Sequence, residues 1–232
     1  MRDQGAAAMP SSYYEATASR EAAAAPLKGS ASADVCVVGG GYAGLSAALE
    51  LRARGFDVVL LEALRIGSAA SGRNGGQVLP GFGVDADAAL AGRLPGQAAQ
   101  AAWRISAEAV DLVRARIERH RIACDWRPGC LTLAVRPRKV RELRHWFDRA
   151  SRMQAHALRW IGPQDIGHWI ASTRYRAGVF DPHAGHLHPL RYCLGLAAAA
   201  RAAGVRMHED TRATALDHGP QVVVRKIGRA HV

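Results

Sequence analysis

DVCVVGGGYAGLSAALELRARGFDVVLLEA, residues 34–63, decides how this chain folds. Val35 to Val38 form a short apolar run, the mark of a strand buried on both faces. Gly39, Gly41 and Gly44 then give G-x-G-x-x-G, and Leu45, Ala48 and Leu49 follow at helical spacing. Gly55 suits the helix stop, and Val58 to Leu61 make a second buried strand ending in Glu62. A strand, glycine turn, helix and strand of this length form a right-handed βαβ unit.

Each of these residues has a physical task. Gly39 allows the tight turn, Gly41 lets backbone approach a pyrophosphate, and Gly44 lets the helix pack close to the strand. The helix N-terminus offers unpaired N–H groups and a positive dipole end to phosphates. Glu62 lies 18 residues beyond Gly44, where an acid accepts the hydroxyls of an adenosine ribose. The same carboxylate disfavours a 2′-phosphate, which argues against NADP. Strand, turn, helix and acid together predict dinucleotide binding but leave NAD and FAD unseparated.

At 232 residues, with 49% hydrophobic and 22% charged residues, the chain is long enough for a real core and reads as globular. No run approaches the ~20 apolar residues of a membrane span, so no integral membrane segment is expected. Residues 1–32 lack the apolar core of a signal peptide and read as a flexible lead-in, which makes the cytoplasm the default location. The formal charge of +11 comes almost wholly from arginine, since only Lys28, Lys139 and Lys226 are lysines. Its densest run, RPRKVRELRHWFDR (136–149), carries Val140, Leu143 and Phe147 at helical spacing and reads as a solvated helix face rather than a nucleic-acid surface. Cys36, Cys124, Cys130 and Cys193 form no CxxC pair, so neither structural disulfides nor a zinc site is expected. Cys36, inside an apolar run, reads as a small core residue.

A second glycine cluster follows at SAASGRNGGQVLPGFG (68–83), where a NAD domain would commonly enter another helical crossover. Backbone without side chains can lie flat against a cofactor, and glycine turns aim several N–H groups at one anion or ring edge. Such a loop suits a cofactor that extends past the first phosphate site, as FAD does.

With these residues in view, the chain resembles the FAD-dependent oxidoreductases of the D-amino-acid-oxidase-like superfamily, and within it the gamma-glutamylputrescine oxidoreductase group. The resembling stretches are SYYEATA (12–18), the 34–63 segment, GSAASGRNGGQV (67–78) and DPHAGHLHPLRYCLGLAAAARAAGVRMHE (181–209). The first glycine motif is generic to two-dinucleotide flavoproteins, whereas the SGRNGGQ and AGHLHP blocks are specific to the group. The resemblance implies FAD as cofactor, with Gly39, Gly41, Ala43 and Gly44 cradling its pyrophosphate and Glu62 holding the adenosine ribose. It implies that Ser71, Arg73, Asn74, Gly75, Gly76 and Gln77 line the phosphate-to-flavin path, the last three nearest the isoalloxazine. Arg73 as a surface charge is the alternative. Ala213 sits where the family touches adenine through its backbone.

The middle of the chain changes pattern. Ile105, Ala109, Leu112, Val113 and Ile117 repeat at helical spacing and predict a helix over 97–120. CLTLAV (130–135) predicts a strand, and residues 139–157 a second amphipathic helix. Pro189 opens a helix at its favoured first position, Gly204 stops it, and Val205 to His208 make the third strand of the nucleotide sheet. The fold class is therefore α/β: a Rossmann-like FAD-binding domain, discontinuous and incomplete, with an inserted α+β portion of a substrate domain. Its parts are expected at 33–85 and 188–225 for the FAD domain and 86–187 for the insert.

DPHAGHLHP reads as a loop placing His183, His186 and His188 together, but no nearby carboxylate beyond Asp181 completes a metal site, so no metal is expected. His186 and His188 are substrate-pocket candidates by the resemblance. No catalytic acid or base can be named: in amine and amino-acid oxidation the flavin N5 takes the hydride while the protein orients the C–H bond and excludes water.

Thr211 to Leu216 and Gln221 to Val224 read as a strand pair around the turn 217–220. KIGRAHV (226–232) departs from this pattern and is what a common sequencing adapter encodes in one frame, so the expectation is an artefactual tail on a truncated reading frame. Such a fragment is expected to bind FAD poorly and to turn over nothing. The preferred function is oxidation of the C–N bond of a small-molecule amine or amino acid, gamma-glutamylputrescine first, with oxygen or a quinone accepting the electrons. A quinone-linked amino-acid dehydrogenase and an inactive truncated dinucleotide-binding module are the alternatives, and an NAD-linked dehydrogenase a weaker third.

Overall fold

The structure, a computed structural model, describes residues 12–82, 92–153 and 158–228. In chain order its elements are α1 (Tyr13–Thr17), β1 (Val35–Val38), α2 (Tyr42–Ala53), β2 (Val58–Leu61), a 3-10 turn (Ala70–Gly72), β3 (Gln77–Val78), α3 (Gly96–His120), β4 (Arg127–Ala134), α4 (Pro137–Met153), β5 (Arg159–Ile161), α5 (Ile166–Trp169), β6 (Ala177–His186), α6 (Pro189–Ala202), β7 (Arg206–His208), β8 (Thr211–Asp217) and β9 (Val223–Gly228). The fold is α/β, in two compact units. The first is built from the described residues of Met1–Gly75, Arg119–Cys124 and His188–Val232, the second from those of Gly76–Glu118 and Asp125–Leu187. The chain enters the second unit at Gly76, ahead of the change of pattern near residue 85, because Gln77 and Val78 pair with His186 and Gly185 of β6.

The first unit holds a parallel sheet of order β1–β2–β7, in register at Val35↔Val58 and Leu60↔Met207. α2 makes the crossover from β1 to β2 and packs against α6, whose Leu190, Cys193 and Leu196 are buried. β2 lies in the middle and is buried throughout. β1 departs from the sequence expectation of burial on both faces: its residues alternate, and Val38 is 59% exposed. It pairs with β2 alone and so is an edge strand among the described residues. Cys36 is accordingly exposed rather than a core residue, on the wall of a cleft of about 710 Å³ that Val59, Leu61 and Val222–Arg225 also line.

β8 and β9 form an antiparallel pair from Asp217↔Val223 to Thr211↔Gly228. Lys226–Gly228, part of the segment that departs from the preceding pattern, thus lie on β9; residues 229–232 lie outside the described residues. Residues 12–32, which composition assigns to a flexible lead-in, are instead anchored. Arg20 donates to the Ile66 carbonyl at 2.8 Å, Ala24 N–H to the Glu209 carboxylate at 2.6 Å, Leu27 N–H to Thr211 Oγ1 at 3.0 Å and Arg206 to the Ser32 carbonyl at 2.6 Å. These anchors are polar and dispersed, and hydrophobic periodicity carries no trace of them. Glu209, 3% exposed, also accepts from Ile66 N–H at 2.8 Å and Arg65 Nε at 3.0 Å.

In the second unit β6 is central. β4 runs along one side, and on the other β3 pairs its C-terminal end while β5 pairs Gly178–Phe180. β4 begins at Arg127, earlier than expected, and its register breaks between Pro128 and Cys130, where Gly129 has φ +89°. α4 ends its description at Met153, residues 154–157 lying outside the described residues. It turns Leu143 into a core with Ala134 and Val179, and its outer face carries ion pairs such as Arg138–Glu142 at 2.8 Å and Arg144–Asp148 at 3.1 Å. α3 forms where the helical spacing predicts it, but the row that gave that spacing is not its most buried face. Its buried residues are Ala99, Trp103, Ser106 and Val110, whereas Ile105 and Leu112 are 60% and 49% exposed. The indole of Trp103 takes the core-facing position, and a row two residues out of phase is turned nearly to the opposite face. Trp103, Trp126, Trp146, Trp160 and Trp169, all the tryptophans of the chain, belong to this unit.

Candidate functional site

The end of β1 and the start of α2 are brought together by three glycines. Gly39 has φ +104° and donates to the Leu61 carbonyl at 2.8 Å, which turns the chain back onto β2. A Cβ on Gly44 would lie 2.0 Å from the Gly39 carbonyl oxygen, so only glycine permits this approach of helix to strand. One on Gly41 would lie 2.8 Å from Ser71 Oγ. The sequence pattern had passed over Gly40, where a Cβ would lie 2.3 Å from Ile66 Cδ1. Leu45 N–H makes the first bond into the helix turn, to Gly41, while Tyr42 N–H donates to Ser71 Oγ at 3.0 Å. The N–H groups of Ala43 and Gly44 have no acceptor among the described residues. Two open donors at the positive end of a helix, beside backbone cleared of side chains, form a set that fits a pyrophosphate.

Glu62, at the end of β2, is half-buried. Its Oε2 accepts from Gly40 N–H at 2.7 Å and its Oε1 from Leu64 N–H at 2.9 Å. The carboxylate thus fixes the glycine turn first, and each oxygen keeps capacity for a further hydrogen bond, as ribose hydroxyls require.

The second glycine segment is laid against the first. The Gly40 carbonyl accepts from Gly67 N–H at 3.1 Å and from the Cys193 thiol at 3.7 Å. Burial pushes the Cys193 thiol up to about 12, so it stays protonated as a donor. Asn74 Nδ2 donates to the carbonyls of Ala70 and Ser71, both at 3.1 Å, and Arg73 Nε to that of Ser68 at 3.0 Å. Arg73 is therefore a staple of its own loop, with its side chain at the surface. Gly75 is exposed, and a Cβ there would meet nothing within 4 Å. Ala213 lies on β8 opposite Lys226, at the edge of a register irregularity.

Gly76 and Gln77 belong to the second unit, where the Gly76 carbonyl accepts from Leu187 N–H at 2.9 Å. Gln77 stands opposite His186 in the sheet, and Arg127 stands opposite the same histidine from β4. Directly paired residues share a face, so Gln77, His186 and Arg127 form one exposed polar row. Arg127 was missed in the sequence because only the register across β6 reveals it.

The three histidines do not share a loop. His183 and His186 lie on β6, the former with Nε2 3.4 Å from Asp111 Oδ1. His188 is 6% exposed and caps α6, its Nδ1 accepting from Arg191 N–H at 3.2 Å. Its Nε2 lies 2.9 Å from Thr17 Oγ1, and the Tyr14 ring meets it edge-on at 5.0 Å, so it docks α1 on the first turn of α6. Among the described residues no group of three or more His, Cys, Asp or Glu could hold a metal ion, and no helix is long and apolar enough to cross a membrane.

A family profile described as FAD dependent oxidoreductase matches residues 34–232. The chain belongs to this family of FAD-dependent oxidoreductases. It is similar to the gamma-glutamylputrescine oxidoreductase of Escherichia coli (strain K12), 40% identical over 93% of this chain and 50% of that protein. It is also similar to the probable oxidoreductase OrdL of Haemophilus influenzae, 39% identical over 86% of this chain and 46% of that one. The chain spans about half the length of the curated relatives it matches. Among solved structures, an L-amino acid deaminase from Proteus myxofaciens shares the fold at TM-score 0.69 and 19% identity, covering 90% of this chain and 46% of that one. Glycine oxidase from Geobacillus kaustophilus does so at 0.66 and 19%, covering 84% and 51%. FAD is the cofactor of the family, and the glycine cradle of the first unit fits it.

Proposed function

We propose that this chain binds FAD and serves the oxidation of a C–N bond in an amine or amino acid, with a gamma-glutamylputrescine-like amine as the first substrate to test. The observation that carries the cofactor reading is the pair of open N–H donors at Ala43 and Gly44, set in backbone that no Cβ obstructs and flanked by Glu62. Gly39, Gly41, Ala43 and Gly44 would hold the pyrophosphate and Glu62 the ribose hydroxyls. Ser71, Arg73, Asn74, Gly75, Gly76 and Gln77 would follow the path from phosphate to ring, and the backbone of Ala213 would meet adenine. When bound, FAD supplies the hydride acceptor. The chain's own part is to hold the nucleotide at the helix N-terminus, to orient the amine and to keep water from it. The substrate class is suggested by the similarity to the Escherichia coli relative.

The test is to produce this chain within a protein of its relatives' full length, purify it with FAD and add gamma-glutamylputrescine without air. Amine-dependent bleaching of the flavin absorbance is expected. On admitting air, peroxide formation identifies oxygen as the electron acceptor, and reduction of a quinone without peroxide identifies a quinone. Retention of NAD in place of FAD, or no bleaching by any amine or amino acid offered, overturns the proposal.

A further inference from the structure

Tyr42, inside the first glycine motif, is the first residue of α2 and touches two further segments of the first unit. Its N–H donates to Ser71 Oγ in the second glycine segment at 3.0 Å. Its hydroxyl donates to the carbonyl of Pro189, the first residue of α6, at 2.9 Å. Asn74 Nδ2, which holds the Ala70 and Ser71 carbonyls, reaches the same hydroxyl oxygen at 3.5 Å. The ring is half-buried and meets Tyr192 edge-on at 5.4 Å between centroids. Burial raises the phenol far above its ordinary range, so the hydroxyl remains a donor at any pH at which the protein would be handled.

We propose that Tyr42 is a positioning residue: by joining α2, the Ser71–Asn74 segment and the first turn of α6, it fixes the second glycine segment relative to the open N–H donors that receive the cofactor's pyrophosphate. The proposal rests on the cofactor reading above. The phenol hydroxyl is both donor and acceptor, and here both capacities are directed at different segments. Loss of one such hydrogen bond shifts a local opening equilibrium by about 2- to 10-fold. The loop alone should feel it, because phenylalanine retains the ring, its burial and its contact with Tyr192.

The experiment compares the wild-type 232-residue chain with Tyr42→Phe in two measurements. Peptide-resolved amide hydrogen exchange is followed over residues 67–75 and, as an internal reference, over β2. FAD is titrated by flavin fluorescence, with visible circular dichroism recorded on the bound flavin. The expected result is exchange faster by about 2- to 10-fold over 67–75, unchanged over β2, with FAD dissociation weakened by a similar factor and an altered flavin dichroism. Unchanged exchange over 67–75 overturns the proposal, as does exchange that rises equally over β2, which marks a general loss of stability. A looser loop with unchanged FAD affinity and dichroism also overturns it. If the wild-type chain binds no FAD, the cofactor reading fails, and the exchange comparison alone then decides whether Tyr42 ties the loop.

Discussion

At the scale of single residues, the same substitution at two kinds of glycine in this chain should differ in its cost to stability. Gly44→Ala places a methyl against a backbone carbonyl that cannot swing aside, so α2 must move off β1. A loss of about 1–3 kcal/mol in denaturant unfolding is expected, together with loss of FAD binding. Gly75→Ala meets open space and should leave stability within about 0.5 kcal/mol of wild type. If Gly75 lies on the flavin path as proposed, the same variant weakens FAD binding in a fluorescence titration, and unchanged affinity would remove it from that path. The task of Gly44 was legible in the sequence because strand, turn and helix are adjacent there. The restriction on Gly40 was not, because its neighbour Ile66 comes from a loop beyond the next strand.

At the scale of elements, the N-terminal segment depends on a few polar anchors, and two of them yield predictions. Glu209→Gln keeps the volume but removes the charge that binds Ala24, Ile66 and Arg65, and should cost about 1.5–3 kcal/mol in equilibrium unfolding. Glu15 is held below its ordinary carboxylate range, first by its hydrogen bond from Arg20 and further by the charge of that guanidinium. A lowered folded-state value means that this contribution is complete above about pH 4.3 and is lost as pH falls through the lowered value. Docking of α1 should therefore loosen in acid, seen as a fall in the amide protection factors over residues 12–20 after correction for intrinsic exchange, and Arg20→Gln should abolish that fall. The helix that receives α1 was foreseen, since Pro189 and Gly204 mark its ends in the sequence itself. Its cap by His188 was not, because a histidine ring accepting a backbone N–H leaves no pattern in composition or spacing.

At the scale of the whole molecule, what the sequence disclosed is what closes over short range. The α/β class, the crossover through α2 and the buried β2 follow from one contiguous run of thirty residues, 34–63. The edge position of β1, the rotated face of α3 and the row at Gln77, His186 and Arg127 depend on partners distant in the chain, and periodicity is blind to those. The division into units also sorts the aromatic side chains. All five tryptophans lie in the second unit, while Tyr13, Tyr14, Tyr42 and Tyr192, four of the five tyrosines, lie in the first. Indole emission, excited where phenol does not absorb, therefore reads one unit, and phenol absorbance reads chiefly the other. Unfolding followed by both signals should resolve the two units in a single unlabelled sample. A shift of indole emission caused by replacing Tyr42 or Gly44 would be a message carried from the unit that holds the substitution to the one that holds the lamps.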